Sequence, residues 1–170
     1  MAENTNGNGS NGQAAPQQAQ AQLSLQRIYV KDASFEAPGV PQVFQLQAQP
    51  NVELNLSQRM SQIAADTFEV VLTVTATCKI EEQTAYLAEV HQAGIFGLTN
   101  FDQQNRDMIL ATYCPNVLFP YVRQAISDLV QGGGFPPFYL QPINFDQLYA
   151  EQMRRRAESA TGESGEGASA

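Results

Sequence analysis

The segment from Thr67 to Ile80 alternates apolar and polar residues with almost no exception. Every even-numbered position from Phe68 onward is apolar, and the odd-numbered positions are polar except Val71. A period of two is typical of a β-strand with one buried and one solvated face. At ~3.3 Å per residue this strand would be roughly 45 Å long, well above the usual length. A long antiparallel sheet with one open face suits docking better than it suits a catalytic pocket.

Two more strands are predicted before this one. The first covers Leu23–Glu36, and Arg27 and Lys31 interrupt its apolar side, which favours a bulge or an edge position. Its alternation places Leu23, Leu25, Tyr29, Ala33 and Phe35 on one side and Ile28, Val30, Asp32, Ser34 and Glu36 on the other. Residues 37–50 hold three prolines and a glycine, which predicts a crossing loop. A short second strand follows at Val52, Leu54 and Leu56.

The hairpin partner of the long strand is predicted at Thr84–Gly94, after a turn near residues 81–83. A two-residue turn would pair Val74 with Glu89 and bury a carboxylate. A three-residue turn pairs Val74 with Val90 instead, along with Ile80–Thr84, Cys78–Tyr86 and Ala76–Ala88. A slip of one residue reverses every side chain, so the second register is predicted. Leu87, Glu89 and His91 then lie on the outer, polar face.

The rest of the chain has a helical pattern. Apolar residues recur at helical spacing over residues 102–131, and Pro115 and Pro120 must kink or divide this helix. Asn144 is the expected cap of a last helix, with Gln147 at the capping-box position. Four strands followed by two helices predict an α+β fold, a four-stranded antiparallel sheet with two C-terminal helices on one face.

Composition indicates where the folded domain begins and ends. Residues 1–22 are rich in Asn, Gln, Gly and Ala, and residues 157–170 are rich in Ser, Gly and Glu. Neither stretch has an apolar face, so both are expected to be disordered tails flanking one domain at 23–156.

Charge and cysteine content exclude several classes of function. The net charge of −8 disfavours nucleic-acid binding and favours basic partners. The chain has no run of 18 apolar residues, so no membrane-spanning segment is predicted. The N-terminus does not have the pattern of a secretory signal. Cys78 and Cys114 fit buried, reduced thiols in a cytoplasmic protein. The basic cluster Arg154–Arg156 is interpreted as the end of a helix, where cations complement the dipole.

Candidate chemistry is sparse. His91 is the one histidine of the chain, and the sequence has no metal-ligand spacing and no phosphate-binding loop. Cys114 could act as a nucleophile only with His91 beside it as the base. We therefore predict no catalytic residues, no metal and no cofactor.

Two features suggest binding surfaces. Phe44, Phe135, Phe138 and Tyr139 lie in predicted loops, where they either line an apolar groove or seal a small core. Acidic residues of the first and fourth strands would form one patch if both strands belong to one sheet. The alternative is an ordinary solvated sheet face.

Five segments together resemble the bacterial protein-export chaperone family SecB. They are QRIYVKDASFEAP (26–38), FEVVLTVTAT (68–77), EEQTAYLAEVHQAGIF (81–96), YCPNVLFPYVR (113–123) and PINFDQLY (142–149). The resemblance runs collinearly over about residues 23–153, and the fourth segment is the most specific.

The resemblance implies a cytoplasmic homotetramer, a dimer of dimers, that binds unfolded precursor proteins without ATP. Such a chaperone keeps them translocation-competent and passes them to the motor ATPase SecA, whose contacting tail is basic and zinc-stabilised. The family's motor-binding positions correspond to Asp32, Glu36, Leu87 and Glu89. Its tetramer-supporting positions correspond to Ala88, Val90 and Gln92.

The family's client groove lies between the crossing loop, the second strand, the interhelix loop and the last helix. The matching residues are Phe44, Val52, Leu54, Leu56, Phe135, Leu140, Phe145 and Tyr149. Family members often carry Trp where this chain has Ala48, which implies a shallower groove at that point. The rival hypothesis is a carrier of a small apolar ligand in a cleft between sheet and helices.

Overall fold

A computed structural model describes residues 19–162 of the chain. The strands are β1 (Gln22–Glu36), β2 (Pro50–Ala64), β3 (Thr67–Ile80) and β4 (Gln83–Thr99), and the helices are α1 (Gln103–Ala111), α2 (Tyr113–Gly132) and α3 (Phe145–Gly162). A short 3-10 helix, Gln42–Gln45, lies in the predicted crossing loop. The predicted tails lie largely outside the described residues, but α3 continues past residue 156 to Gly162, so the interpretation of Arg154–Arg156 as a helix end was wrong.

The four strands form one antiparallel sheet in the order β1-β4-β3-β2. Helix α2 covers one face, which we call the inner face, and buries Leu118, Val122 and Ile126 against β3 and β4. Gly94 allows this close packing, because a Cβ there would lie 2.9 Å from Leu118 Cδ2. The α+β fold predicted from the element order is confirmed.

Strand β2 is longer than the short strand predicted, since it pairs with β3 along its whole length. Its inner face carries Gln58 and Gln62 in addition to apolar residues, and this hides the alternation. The structure shows why Gln58 is tolerated there: its Nε2 donates to the carbonyl of Leu110, 2.8 Å away, near the C-terminus of α1. Carbonyl groups in the last turn of a helix need such partners.

The two sides of β1 differ from the prediction. Its pairing with β4 shifts between Leu25 and Arg27 and again between Val30 and Asp32, so Gln26 and Lys31 are each an extra residue in a bulge. A bulge reverses the alternation of the residues that follow it. The bulge at Gln26 therefore turns Tyr29 outward and Val30 inward, and the bulge at Lys31 restores the alternation, so Asp32 and Glu36 face outward. The prediction that Tyr29 and Phe35 share one side was wrong.

Two side chains from other strands bind the bulge at Lys31. The amide Nε2 of Gln92 donates to the carbonyl of Tyr29 at 2.9 Å. The carboxylate of Glu69, on β3, accepts hydrogen bonds from the Tyr29 hydroxyl and from Lys31 Nζ, the latter at 2.7 Å. These contacts join the edge strand to two other strands.

The hairpin has the predicted register along its body, with Val74 opposite Val90 and Cys78 opposite Tyr86. Its tip was predicted wrongly. The turn contains only Glu81 and Glu82, and the register is restored by a shift at Cys78, after which Lys79 pairs with Thr84. Glu81 adopts φ 56°, the left-handed conformation that such short turns use.

The predicted long helix is divided just before Pro115, whereas Pro120 lies inside the continuous helix α2. Thr112 separates α1 from α2, and Pro115 lies in the first turn of α2, where no N–H group is needed. Asp102 caps α1 by accepting a hydrogen bond from the Asn105 amide at 2.9 Å. Asn144 caps α3 through the Gln147 amide at 3.0 Å, as predicted.

Candidate functional site

The outer face of the sheet brings four predicted residues together. We call Asp32, Glu36, Leu87 and Glu89 the acidic patch. In the β1–β4 register Glu36 pairs with Leu87, Ser34 with Glu89, and Asp32 with His91. Asp32 and Glu36 are exposed, and Leu87 and Glu89 are half-buried. The sequence analysis predicted one patch only if the first and fourth strands belong to one sheet, and β1 and β4 are neighbours in it.

Glu89 is held from two sides. The hydroxyl of Thr75 donates to Oε2 at 2.6 Å, and His91 Nε2 lies 2.9 Å from Oε1. These two hydrogen bonds, that of Thr75 first, lower the pKa of the Glu89 carboxyl below its usual range. Glu89 is therefore ionised at neutral pH.

The lysines of this face pair with other carboxylates. Lys31 binds Glu69 at 2.7 Å, and Lys79 Nζ lies 3.9 Å from Glu53 Oε1. The hydrogen bond that the Tyr29 hydroxyl donates to Glu69 is the main reason that the pKa of Tyr29 rises to about 12. The acidic patch thus keeps its negative charge although two lysines share its face of the sheet.

Ala88, Val90 and Gln92 lie on the inner face of β4, as the register argument required. Their exposed fractions are 0%, 0% and 2%, so all three belong to the core of the protomer. Gln92 binds the β1 bulge. Buried in this way, the three side chains present no surface for direct contact with another chain.

The predicted groove has one well-formed cavity. Phe44, Val52 and Phe135 line a space of about 420 Å³ together with Ala48 and Tyr86. The rings of Phe44 and Phe135 are 5.1 Å apart, and those of Phe135 and Tyr86 are 4.9 Å apart. The loop aromatics therefore both line a cavity and cover the core.

A second depression of about 230 Å³ lies farther along β2. Leu56, Phe145 and Tyr149 line it, with Met60 and Leu148. Leu54 is half-exposed on β2 and lines neither of the two cavities. Met60 was missed because β2 was predicted too short, although it continues the alternation of Leu54 and Leu56.

Leu140 does not fit the predicted groove surface. Only 3% of it is exposed, and it packs in the core. The proline-rich loop that contains it was expected to run over the surface, but a large apolar side chain in such a loop is stabilised by burial. Its neighbour Tyr139 is the exposed member of the pair.

The structure does not support a nucleophilic Cys114. The thiol is fully buried, and burial raises its pKa to about 12, so it is not a thiolate at neutral pH. His91 lies on the opposite, outer face of the sheet. Within residues 19–162 no group of His, Cys, Asp and Glu side chains has the arrangement of a metal site. Over the same range no helix has the length and hydropathy needed to cross a membrane.

Comparisons with known proteins agree with this architecture. The model of the family described as "Preprotein translocase subunit SecB" matches residues 16–156. The chain belongs to the SecB family. A protein-export protein SecB from Stenotrophomonas maltophilia is 56% identical over 151 residues, covering 88% of both chains. The SecB of Xylella fastidiosa is 53% identical over 152 residues, covering 88% of both chains.

A solved structure shares the fold. A SecB-like chaperone from Mycobacterium tuberculosis, in complex with a peptide from an antitoxin, aligns with a TM-score of 0.61. The two sequences are 18% identical, and the alignment covers 72% of this chain and 91% of that one. SecB is a family of protein-export chaperones, so this chain is a chaperone and not an enzyme.

Proposed function

We propose that this chain is an ATP-independent holdase of the cytoplasm that binds unfolded precursor proteins. It keeps them translocation-competent and delivers them to the SecA motor ATPase. The observation that carries the proposal is the separation of two surfaces on one sheet. An apolar cavity lies beside β2 and the loops, and a charged patch lies on the outer face of β1 and β4.

The apolar surface has the properties that an unfolded client requires. An unfolded chain exposes apolar side chains, and burying them stabilises the complex by roughly 25 cal/mol per Å². The half-exposed side chains of Phe44, Leu54 and Met60 offer such contacts without a narrow shape requirement. The M. tuberculosis relative carries a peptide, which supports peptide binding by this fold.

The acidic patch is the proposed contact for SecA. Asp32, Glu36 and Glu89 present carboxylates on one flat face, and Leu87 adds an apolar contact among them. Complementary charge favours a basic partner and speeds its association.

The proposed assembly is a homotetramer, a dimer of dimers. Val30 on β1 and Tyr121 on α2 are about half exposed and border a shallow apolar depression of about 330 Å³. Large apolar side chains grouped in this way are typical of protein interfaces. The long helix α2 would then lie between the sheets of two protomers.

Light scattering followed by titration with a denatured precursor tests the proposal. A holdase should have the mass of four chains and suppress aggregation at stoichiometric ratio without nucleotide. Phe44→Ser should weaken suppression, and Gln45→Ser, next to it in the same 3-10 helix, is the matched control.

A carrier of a small apolar ligand would behave differently, although a cavity of about 420 Å³ has the size such ligands need. Native mass spectrometry would then detect a copurified ligand, and the chain would leave the denatured precursor to aggregate. That result would overturn the proposed function.

A further inference from the structure

The acidic patch contains one carboxylate that the protein itself holds in place. We propose that Thr75 and His91 are positioning residues for Glu89, which they fix in the orientation that a basic partner meets. The inference rests on the proposed function of the acidic patch and adds to it the residues that give the patch its geometry.

The two donors approach the carboxylate from different directions. Thr75 lies on β3 directly opposite Glu89, and its hydroxyl is 2.6 Å from Oε2. His91 lies two residues farther along β4 on the same face, and its Nε2 is 2.9 Å from Oε1. Because an ionised carboxylate can only accept hydrogen bonds, both neighbours are donors here.

This arrangement leaves Glu89 available to a partner. A carboxylate has about four acceptor positions, so two remain after Thr75 and His91 have each used one. Fixing a glutamate side chain before binding lowers the entropy that complex formation would otherwise cost. A Lys or Arg side chain of the partner thus meets an oriented anion.

The neighbouring threonines show that the contact is specific to one position. Thr73, Thr75 and Thr77 share the outer face of β3. On the β4 side Thr73 pairs with His91 and Thr77 with Leu87, so Thr75 is the one of the three placed opposite Glu89. Thr77→Val therefore makes the same chemical change on the same strand without touching Glu89.

Calorimetric titration of the full-length chain with purified SecA tests the inference. Thr75→Val removes the hydroxyl but keeps the branched shape, and it should weaken binding about three- to tenfold. Thr75→Ser restores a hydroxyl and should bind within about twofold of the parent, as should Thr77→Val. His91→Leu should weaken binding, and His91→Gln, whose amide can donate, should recover part of the loss.

A second measurement does not depend on the partner. Carboxyl NMR of Glu89 should show its pKa rising in Thr75→Val and staying low in Thr77→Val. This readout also covers the case in which one variant fails to assemble.

The outcomes separate the inference from the proposed function. If Glu89→Gln leaves SecA binding unchanged, the proposed role of the patch is wrong. If Glu89→Gln weakens binding while Thr75→Val matches Thr77→Val, the patch stands and the positioning role is overturned.

Discussion

The acidic patch and the apolar cavity are built in different ways. The acidic patch lies on two neighbouring strands, so backbone register sets the spacing of its carboxylates. The cavity combines β2, the 3-10 helix and the loop after α2, and its walls are aromatic side chains packed on one another. A rigid arrangement of charges favours one partner, whereas adjustable apolar contacts accept many sequences. The difference fits the proposed function, in which one motor and many clients are bound.

The largest expected effect is on the free energy of unfolding, and it differs between the two faces of the sheet at adjacent positions of β3. Leu72 is fully buried on the inner face, and Leu72→Ala should lower the free energy of unfolding by about 2–5 kcal/mol. Thr73 lies on the outer face, and Thr73→Ala should cost under about 1 kcal/mol. Urea denaturation at a fixed protomer concentration measures both. Equal losses would mean that the outer face is packed against something in solution.

The next effect separates the two surfaces by function. Asp32→Asn combined with Glu89→Gln removes two charges, and affinity for SecA should fall at least about tenfold, or ~1.4 kcal/mol. Suppression of precursor aggregation should remain unchanged, because the apolar cavity is untouched. Phe44→Ser should produce the reverse pattern. A parallel loss of both activities in either variant would contradict two independent surfaces.

A smaller effect reports on the cavity directly. The chain contains no Trp, and Ala48 lines the cavity, so Ala48→Trp introduces a single indole there. Its fluorescence should shift to shorter wavelength when a denatured precursor binds, because the indole leaves water. Adding SecA alone should leave the emission unchanged. An emission that responds to SecA and ignores the precursor would place the client elsewhere.

The smallest effect concerns the pH dependence of stability. Hydrogen bonds from Lys31 and then Tyr29 lower the pKa of Glu69 in the folded protein. A lowered pKa stabilises the fold above the pKa of the unfolded chain, and this contribution is lost as pH falls through the folded value. Glu69→Gln should therefore flatten the decline in melting temperature between pH 6 and pH 3. Glu53→Gln, on the same face and 3.9 Å from Lys79, is the control and should change that slope less.

Much of the fold followed from local pattern. The alternation of β3 and the choice of register placed Leu87 and Glu89 on the outer face, and the β3–β4 pairing agrees. Asn144 was recognisable as a cap because its side chain serves a backbone amide three residues away. Such features depend on neighbours close in sequence.

The errors occurred where a residue is stabilised by a distant one. The length of β2 was missed because Gln58 lies on the inner face, where its partner is the Leu110 carbonyl. Leu140 was assigned to an exposed groove, but packing buries it. The hairpin tip was wrong because a bulge and a two-residue turn together give the same register as a longer turn.

The sequence by itself determined the α+β fold, the polar face of β4 and the division of the long helix, since periodicity and proline act locally. Only the tertiary structure decided which way Tyr29 and Val30 point. They lie between bulges at Gln26 and Lys31, and the second bulge is bound by Glu69, 38 residues from Lys31, and by Gln92. One extra residue reverses the alternation and the second restores it, so contacts between distant strands keep Asp32 and Glu36 on the side opposite Leu23 and Phe35.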